Sequence, residues 1–301
     1  RNLKKKLSDF IDAFIPDFIF LGLSANKNEI DYLACEIAKE KNVKTAAIQD
    51  YYGWIGAFDS KIKPNYFFVI DEYAKKLTQD TKICNSKNII ILGSPKHHNY
   101  LNQLKSWDKD IQNINFANRE LIFFLQPLHI PGIESNFINF CKSINQINPG
   151  YKLNVKPHPL DENSDILEKI SNKYPIEILH YNKSVELLLL YFENIVNCFS
   201  TIAYDYYFLT NYLKLFEAGN LYNLLIGKEI IKSIEALNFD ITKTPQYEVG
   251  INITNAYSLE DELNCIFNST DLTKKKYKTF VKPKINVAEQ EIANLLKRRM
   301  E

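Results

Sequence analysis

The chain has no run of about 18 apolar residues, so its sequence predicts neither a membrane-crossing helix nor a secretory leader. It has no excess of either charge: 37 basic residues stand against 36 acidic ones. A general nucleic-acid binder would show a strong basic surplus, so nucleic acid is not expected as a partner. There is no Cys-x-x-Cys pair. Cys35, Cys84, Cys141, Cys198 and Cys265 are widely spaced, which excludes the usual zinc spacings and a disulfide framework and predicts a reducing, cytoplasmic setting. Cys35 and Cys198 lie in apolar runs and read as small buried hydrophobes. No internal repeat stands out. The first residue is Arg rather than Met, so a natural N-terminal segment is expected to precede it.

What the chain does have is a strand-helix rhythm over 301 residues, of which 46% are hydrophobic. That length suggests two domains. Short apolar runs at 17–24, 43–48, 65–70 and 88–92 read as buried strands. Helical periodicity at 27–41 and 97–107 follows two of them. The segment 108–118 is polar and aperiodic and reads as an interdomain linker. The rhythm then restarts, with strands at 121–125, 152–155, 176–179, 195–198 and 213–216. Helices are expected at 134–147, 161–172, 184–190 and 202–209, and again from 258 onward. This alternation predicts an α/β protein of two Rossmann-like lobes with parallel sheets and a cleft between them. The expected boundaries are 1–112, 119–285 and a C-terminal helix at 286–301. Lys4-Lys5-Lys6, Lys274-Lys275-Lys276 and Lys297-Arg298-Arg299 read as solvated faces. The alternative is a peripheral hold on anionic lipid at the inner face of the membrane, worth about 1 kcal/mol per basic residue.

Ligands of such sheets sit outside the carboxyl ends of the strands. There the sequence places Lys156-Pro157-His158-Pro159. Two prolines fix the backbone around one imidazole beside an ammonium group, a pairing suited to phosphate oxygens. The bland alternative is a rigid turn with a solvent-facing histidine. Ser200-Thr201 follows another strand and opens a helix. It reads first as an N-cap, and the same geometry suits a phosphate at the positive end of the helix.

The pairing of Lys156-Pro157-His158-Pro159 with Phe199-Ser200-Thr201-Ile202-Ala203 resembles the donor lobe of GT-B glycosyltransferases. Those enzymes carry a His-Pro motif and a later Ser/Thr motif. They include bacterial sialyl- and polysialyltransferases, capsule Kdo transferases and CDP-glycerol glycerophosphotransferases. The resemblance implies that His158, Ser200 and Thr201 hold the phosphate of a CMP-type nucleotide sugar. Residues 91–96, with Gly93 and Ser94, resemble the turn that ends the first lobe of these enzymes and of UDP-N-acetylglucosamine epimerases. Residues 121–127 resemble the first strand of their second lobe, and Gln126-Pro127 with the loop to Gly132 is expected at a strand exit bordering the donor.

An inverting transfer needs a base for the acceptor hydroxyl. The acidic pair before glycine that sialyltransferases use has only Gln49-Asp50-Tyr51-Tyr52-Gly53 and Asp71-Glu72-Tyr73 as near equivalents. Asp50 is the first choice and Asp71 the second, although Asp71 also suits a helix start. Tyr51, Tyr52, Trp54 and Phe58 either stack on sugar faces or pack. His97-His98 either touches ligand or lies exposed. Glu217 is a candidate acceptor from a ribose hydroxyl. The reading is metal-independent, with no cofactor, and His-His alone is a poor metal site. It is transfer from a CMP-type nucleotide sugar to a glycan or glycolipid acceptor in bacterial surface polysaccharide synthesis. A nucleotide-sugar epimerase or hydrolase of the same superfold, and a noncatalytic scaffold partner, are the alternatives.

Overall fold

A computed structural model describes residues 2–104, 120–161, 164–179, 185–212, 219–236, 242, 244, 247 and 250–268. The chain divides into two compact units. One takes Arg1–Gln103, and the other takes Leu104–Ala236 and the described residues from 242 to 268. Among the described residues, no helix is long and apolar enough to cross a membrane. The expected linker at 108–118, the strand at 213–216 and the helix at 286–301 lie outside the described residues.

The first unit runs α1 (Asn2–Phe14), β1 (Phe18–Leu21), α2 (Ile30–Glu40), β2 (Lys44–Ile48), β3 (Tyr66–Val69), α3 (Glu72–Asp80), β4 (Ile89–Ile91) and α4 (Pro95–Leu104). Its four strands are parallel and lie in chain order, β1-β2-β3-β4. Three of them, Phe-Ile-Phe-Leu, Tyr-Phe-Phe-Val and Ile-Ile-Ile, are aliphatic and aromatic sequences that suit a pleated surface. Helix α2 turns Ala34, Cys35, Ile37 and Ala38 inward at helical spacing. Ile37, Phe67 and Val69 are wholly buried, each contributing about 1.5–3 kcal/mol relative to exposure.

The connection from β2 to β3 carries no helix. A parallel crossover must still cover the sheet, and the aromatic loop does so. Tyr51, Tyr52 and Phe58 are buried. Phe58 meets Phe67 edge-on at 6.2 Å and stacks on Tyr32 of α2 at 6.3 Å. These three rings are therefore core, not a platform open to a sugar face.

The second unit runs β5 (Leu121–Phe124), α5 (Ile133–Ile147), β6 (Leu153–Lys156), α6 (Asp165–Ser171), β7 (Ile176–Ile178), α7 (Val185–Tyr191), β8 (Asn194–Asn197), α8 (Ile202–Tyr212), β9 (Asn220–Leu224), α9 (Lys228–Glu235), β10 (Ile251–Ile253) and α10 (Ala256–Asn268). All six strands are parallel, in the order β10-β9-β8-β5-β6-β7. Counted from β5, this is the 3-2-1-4-5-6 order of a Rossmann sheet, with its reversal between β5 and β8. Central β5 is buried on both faces, as a parallel strand between helical layers must be. Phe123 packs edge-on against Phe137 and Phe140 of α5 at 5.1 and 5.3 Å.

Candidate functional site

The reversal point brings three strand exits side by side, those of β6, β5 and β8. Each carries residues singled out in the sequence, and hydrogen bonds tie the exits to one another. Gln126, just past β5, is buried, and its Oε1 accepts the Phe199 N–H at 2.8 Å across the reversal. Asp161, beyond β6, is buried, and its Oδ2 accepts the Leu128 N–H at 2.9 Å. Asn197, the last residue of β8, accepts the Ser200 N–H on Oδ1 at 3.0 Å. The Asn197 side chain begins an amide ladder across the sheet. Its Nδ2 donates to Asn223 Oδ1 at 3.2 Å, and Asn223 Nδ2 donates to Asn252 Oδ1 at 2.9 Å. Asn252 Nδ2 ends the ladder on the Tyr247 carbonyl at 2.7 Å.

His158 sits in this frame, half-buried. Its Nδ1 accepts the Leu160 N–H at 3.2 Å, and its carbonyl accepts the Asp161 N–H at 2.9 Å. With Nδ1 acting as acceptor, the neutral ring carries its proton on Nε2. Burial pushes the imidazole pKa below its ordinary value; Asp161 pulls it up and His129 pushes it down. Pro159 opens a short 3-10 turn, Pro159–Asp161, so α6 begins at Asp165 rather than at 161 as the sequence suggested. Lys156 closes β6 and is buried at the sheet's carboxyl edge.

The start of α8 is more fully capped than a bare phosphate cradle would be. Side chains take the Phe199 and Ser200 N–H groups. Ser200 Oγ accepts the Ile202 N–H at 3.2 Å, so the hydroxyl satisfies the first N–H of α8. That hydroxyl keeps its proton to donate, beside the half-buried Thr201. Glu217 lies outside the described residues. The strand described in this stretch, β9, begins later in the chain, at Asn220.

In the first unit Asp50 follows β2 and is exposed. Crowding by neighbouring atoms nevertheless holds its carboxyl above the usual range, while its own backbone N–H and Lys96 pull it down. Asp71 is committed elsewhere. It is buried, and its Oδ1 caps α3 by accepting the Ala74 N–H at 2.8 Å. Its Oδ2 accepts the Tyr52 hydroxyl at 2.6 Å. Asp71→Ala should therefore lower stability by about 2 kcal/mol, combining a lost cap with a lost buried acceptor. Chemical denaturation measures this, and a loss below about 0.5 kcal/mol would remove Asp71 from that structural role.

His97 is buried rather than exposed, and its ring lies 5.9 Å from that of Tyr100. Burial pushes the Asp71 carboxyl above its ordinary pKa, while its hydrogen bonds and, least, His97 pull it down. Gly93 adopts φ +82°, a left-handed turn that glycine allows. Ser94 follows it, just ahead of Pro95 at the first position of α4. Among the described residues there is no cluster of three metal-ligating side chains. The one Asp-x-Asp tripeptide, Asp108-Lys109-Asp110, lies outside them.

No protein-family model matches the chain. No curated protein matches it in sequence. Solved structures do match in shape. The UDP-GlcNAc 2-epimerase of Neisseria meningitidis, bound to UDP-GlcNAc, superposes with a TM-score of 0.66 at 12% identity, over 99% of this chain and 80% of that one. MnaA of S. aureus with UDP gives 0.63 at 12% identity, over 99% and 78%. MurG of Acinetobacter baumannii gives 0.53 at 8% identity, over 98% and 78%. With two parallel α/β sheets and these neighbours, the chain has the GT-B fold of two Rossmann-like units.

Proposed function

We propose that this chain is an enzyme that binds a nucleotide sugar by its phosphate at the carboxyl edge of the second sheet and transfers the sugar to a glycan or glycolipid acceptor. The carrying observation is the pair of side-chain bonds that knits the β5, β6 and β8 exits, Gln126 to Phe199 and Asp161 to Leu128, with Asn197 holding the Ser200 N–H inside the β8 exit. Buried amide and carboxylate groups hold three loops in register at the point where such sheets bind ligands. In this reading His158 donates Nε2–H to a phosphate oxygen. The Ser200 and Thr201 hydroxyls donate alongside it, and Lys156 adds positive charge. Donors fixed in advance stabilise charge as it develops on the departing phosphate. Asp50 is the base that takes the acceptor's proton, and its raised pKa suits that task. The Ser/Thr and His-Pro likeness favours a CMP-type donor, and no metal takes part.

The structural neighbours support a second reading. Two of them hold UDP-GlcNAc or UDP, and one of these is a 2-epimerase. Epimerisation or hydrolysis of a UDP-sugar would use the same phosphate grip without an acceptor.

One experiment separates the readings. The chain is titrated with CMP, CDP, UDP and GDP by thermal shift, with EDTA and with Mg²⁺. The matching nucleotide sugar is then incubated without acceptor. A ligand at about 100 times its dissociation constant adds about 2.7 kcal/mol of stability. Transfer predicts a metal-independent shift with a cytidine nucleotide and slow loss of donor alone. A shift with UDP and rapid donor turnover would instead establish the epimerase or hydrolase. If no nucleotide shifts the transition, the phosphate-site reading fails.

A further inference from the structure

The first unit has a cavity of about 720 Å³ at the end of its sheet opposite the strand exits. It opens where the strands begin: Lys44 starts β2, Asn65 precedes β3 and Asn88 precedes β4. Among the described residues, five lysines line it, Lys39, Lys44, Lys61, Lys63 and Lys82, and no aspartate or glutamate does. The rest of its wall is largely amide and hydroxyl side chains, with Cys35 and Cys84.

Two ordinary explanations fall short. The C-terminal ends of α2 and α3 border the cavity through Lys39 and Lys82, and lysines often offset such ends. Each end carries only about half a negative charge, so two of them answer about one lysine of five. Among the described residues, neighbouring acids do not answer Lys61, Lys63 or Lys82. Asp59 holds Lys27 at 2.6 Å and accepts the N–H groups of Lys61 and Ile62. Glu40 holds Lys4 at 3.2 Å. Lys63 and Lys82 have no ion pair among the described residues. Lys39 Nζ donates to the Lys61 carbonyl at 2.7 Å, which draws two walls together without adding negative charge. Asn65 spends its Oδ1 on the Thr45 N–H and hydroxyl, at 2.8 and 3.2 Å, and keeps its N–H donors.

We propose that this cavity binds a small soluble polyanion carrying at least two phosphate groups, at a site separate from the candidate donor site. Its volume falls within the range of small-molecule pockets. Ammonium groups bind phosphate oxygens as compact point charges, and several converging lysines suit a multiply charged ligand better than a single carboxylate. Like-charge repulsion among the lysines would be relieved on occupancy.

The test is calorimetric titration of the whole chain with inorganic pyrophosphate, and separately with orthophosphate, at about 0.1 M salt. The proteins are the wild type, the double variant Lys63→Gln/Lys82→Gln, and His158→Ala. The expected result is equal pyrophosphate binding by wild type and His158→Ala, and binding at least about tenfold weaker in the lysine variant. Orthophosphate should bind at least about tenfold more weakly than pyrophosphate. The replaced lysines are exposed, so the fold should tolerate both changes. No pyrophosphate binding by the wild type, unchanged binding in the lysine variant, or binding that disappears with His158 would each overturn the proposal.

Discussion

His158→Ala should weaken nucleotide-sugar binding by about 10- to 100-fold while leaving the unfolding transition nearly in place. A hydrogen bond from the ring to a charged phosphate oxygen is worth about 1.5–3 kcal/mol, and about 1.4 kcal/mol is a factor of ten in affinity. Among the described residues the ring makes one hydrogen bond, accepting the Leu160 N–H, and it is half-buried. Its loss should therefore cost the fold about 1 kcal/mol at most. His158→Gln keeps a donor and should fall between wild type and alanine. The pH dependence adds a signature. Burial holds the free imidazole below its ordinary pKa, whereas a bound phosphate favours the imidazolium. Binding then takes up a proton, so affinity should rise as pH falls from 7 through that lowered pKa. The diester phosphates of a nucleotide sugar do not titrate in this window. Calorimetry at several pH values reads both effects. An alanine variant that binds as tightly as wild type, or a wild type whose affinity falls on mild acidification, would take His158 out of the phosphate site.

Gly132→Ala should destabilise the second unit by about 3 kcal/mol. Gly132 opens α5 at φ +89°. A left-handed backbone costs an ordinary residue about 1–2 kcal/mol. The added methyl would also stand 2.6 Å from the backbone nitrogen of Ile230 and 3.0 Å from its Cα. Forcing such a contact costs about 1–3 kcal/mol. Relief is blocked, because Asn136 Nδ2 donates to both the Gly132 and the Ile226 carbonyls at 2.7 Å. Its Oδ1 also accepts the Ile226 N–H at 3.1 Å. Helix α5 and the exit of β9 are thereby pinned together. A shift of the denaturant midpoint with an unchanged slope is the expected reading. A change below about 1 kcal/mol would mean that the helices part easily at this point.

Strands whose burial is two-sided announce themselves. Leu121 to Phe124 and Tyr66 to Val69 are unbroken aliphatic and aromatic runs, so both were legible in the sequence. Strands β9 and β10 were not. They read Asn-Leu-Tyr-Asn-Leu and Ile-Asn-Ile, and asparagine is depleted in strands. Here neighbouring strands satisfy those amides through the ladder, and pairing of that kind leaves no local trace. The candidate site divides the same way. Prolines around His158 restrict the backbone locally and can be read directly. Asp161 looked like an ordinary acid at a helix start, whereas it is a buried acceptor for a loop more than thirty residues earlier in the chain. Gln126 looked like a border residue and serves as a staple to Phe199. Tyr51, Tyr52 and Phe58 have the same composition whether they stack on sugar or cover a sheet. Only the missing helix between β2 and β3 decides for the cover.

The strand order also has a consequence for how the chain must assemble. Leu121 of β5 pairs with Asn194 of β8, and the staple between Gln126 and Phe199 spans 73 residues, whereas the amides joining β8 to β9 span 26. Loop-closure entropy grows with the logarithm of length, so the longer closure costs about 0.9 kcal/mol more. Connectivity therefore helps least at the seam between the two halves of the sheet, and that seam carries the proposed ligand contacts. Interactions that local chain geometry supplies elsewhere must come there from the ladder between β5 and β8 and from the buried Gln126 amide. Sequence change at Gln126 would loosen the binding edge before it unravelled the outer strands.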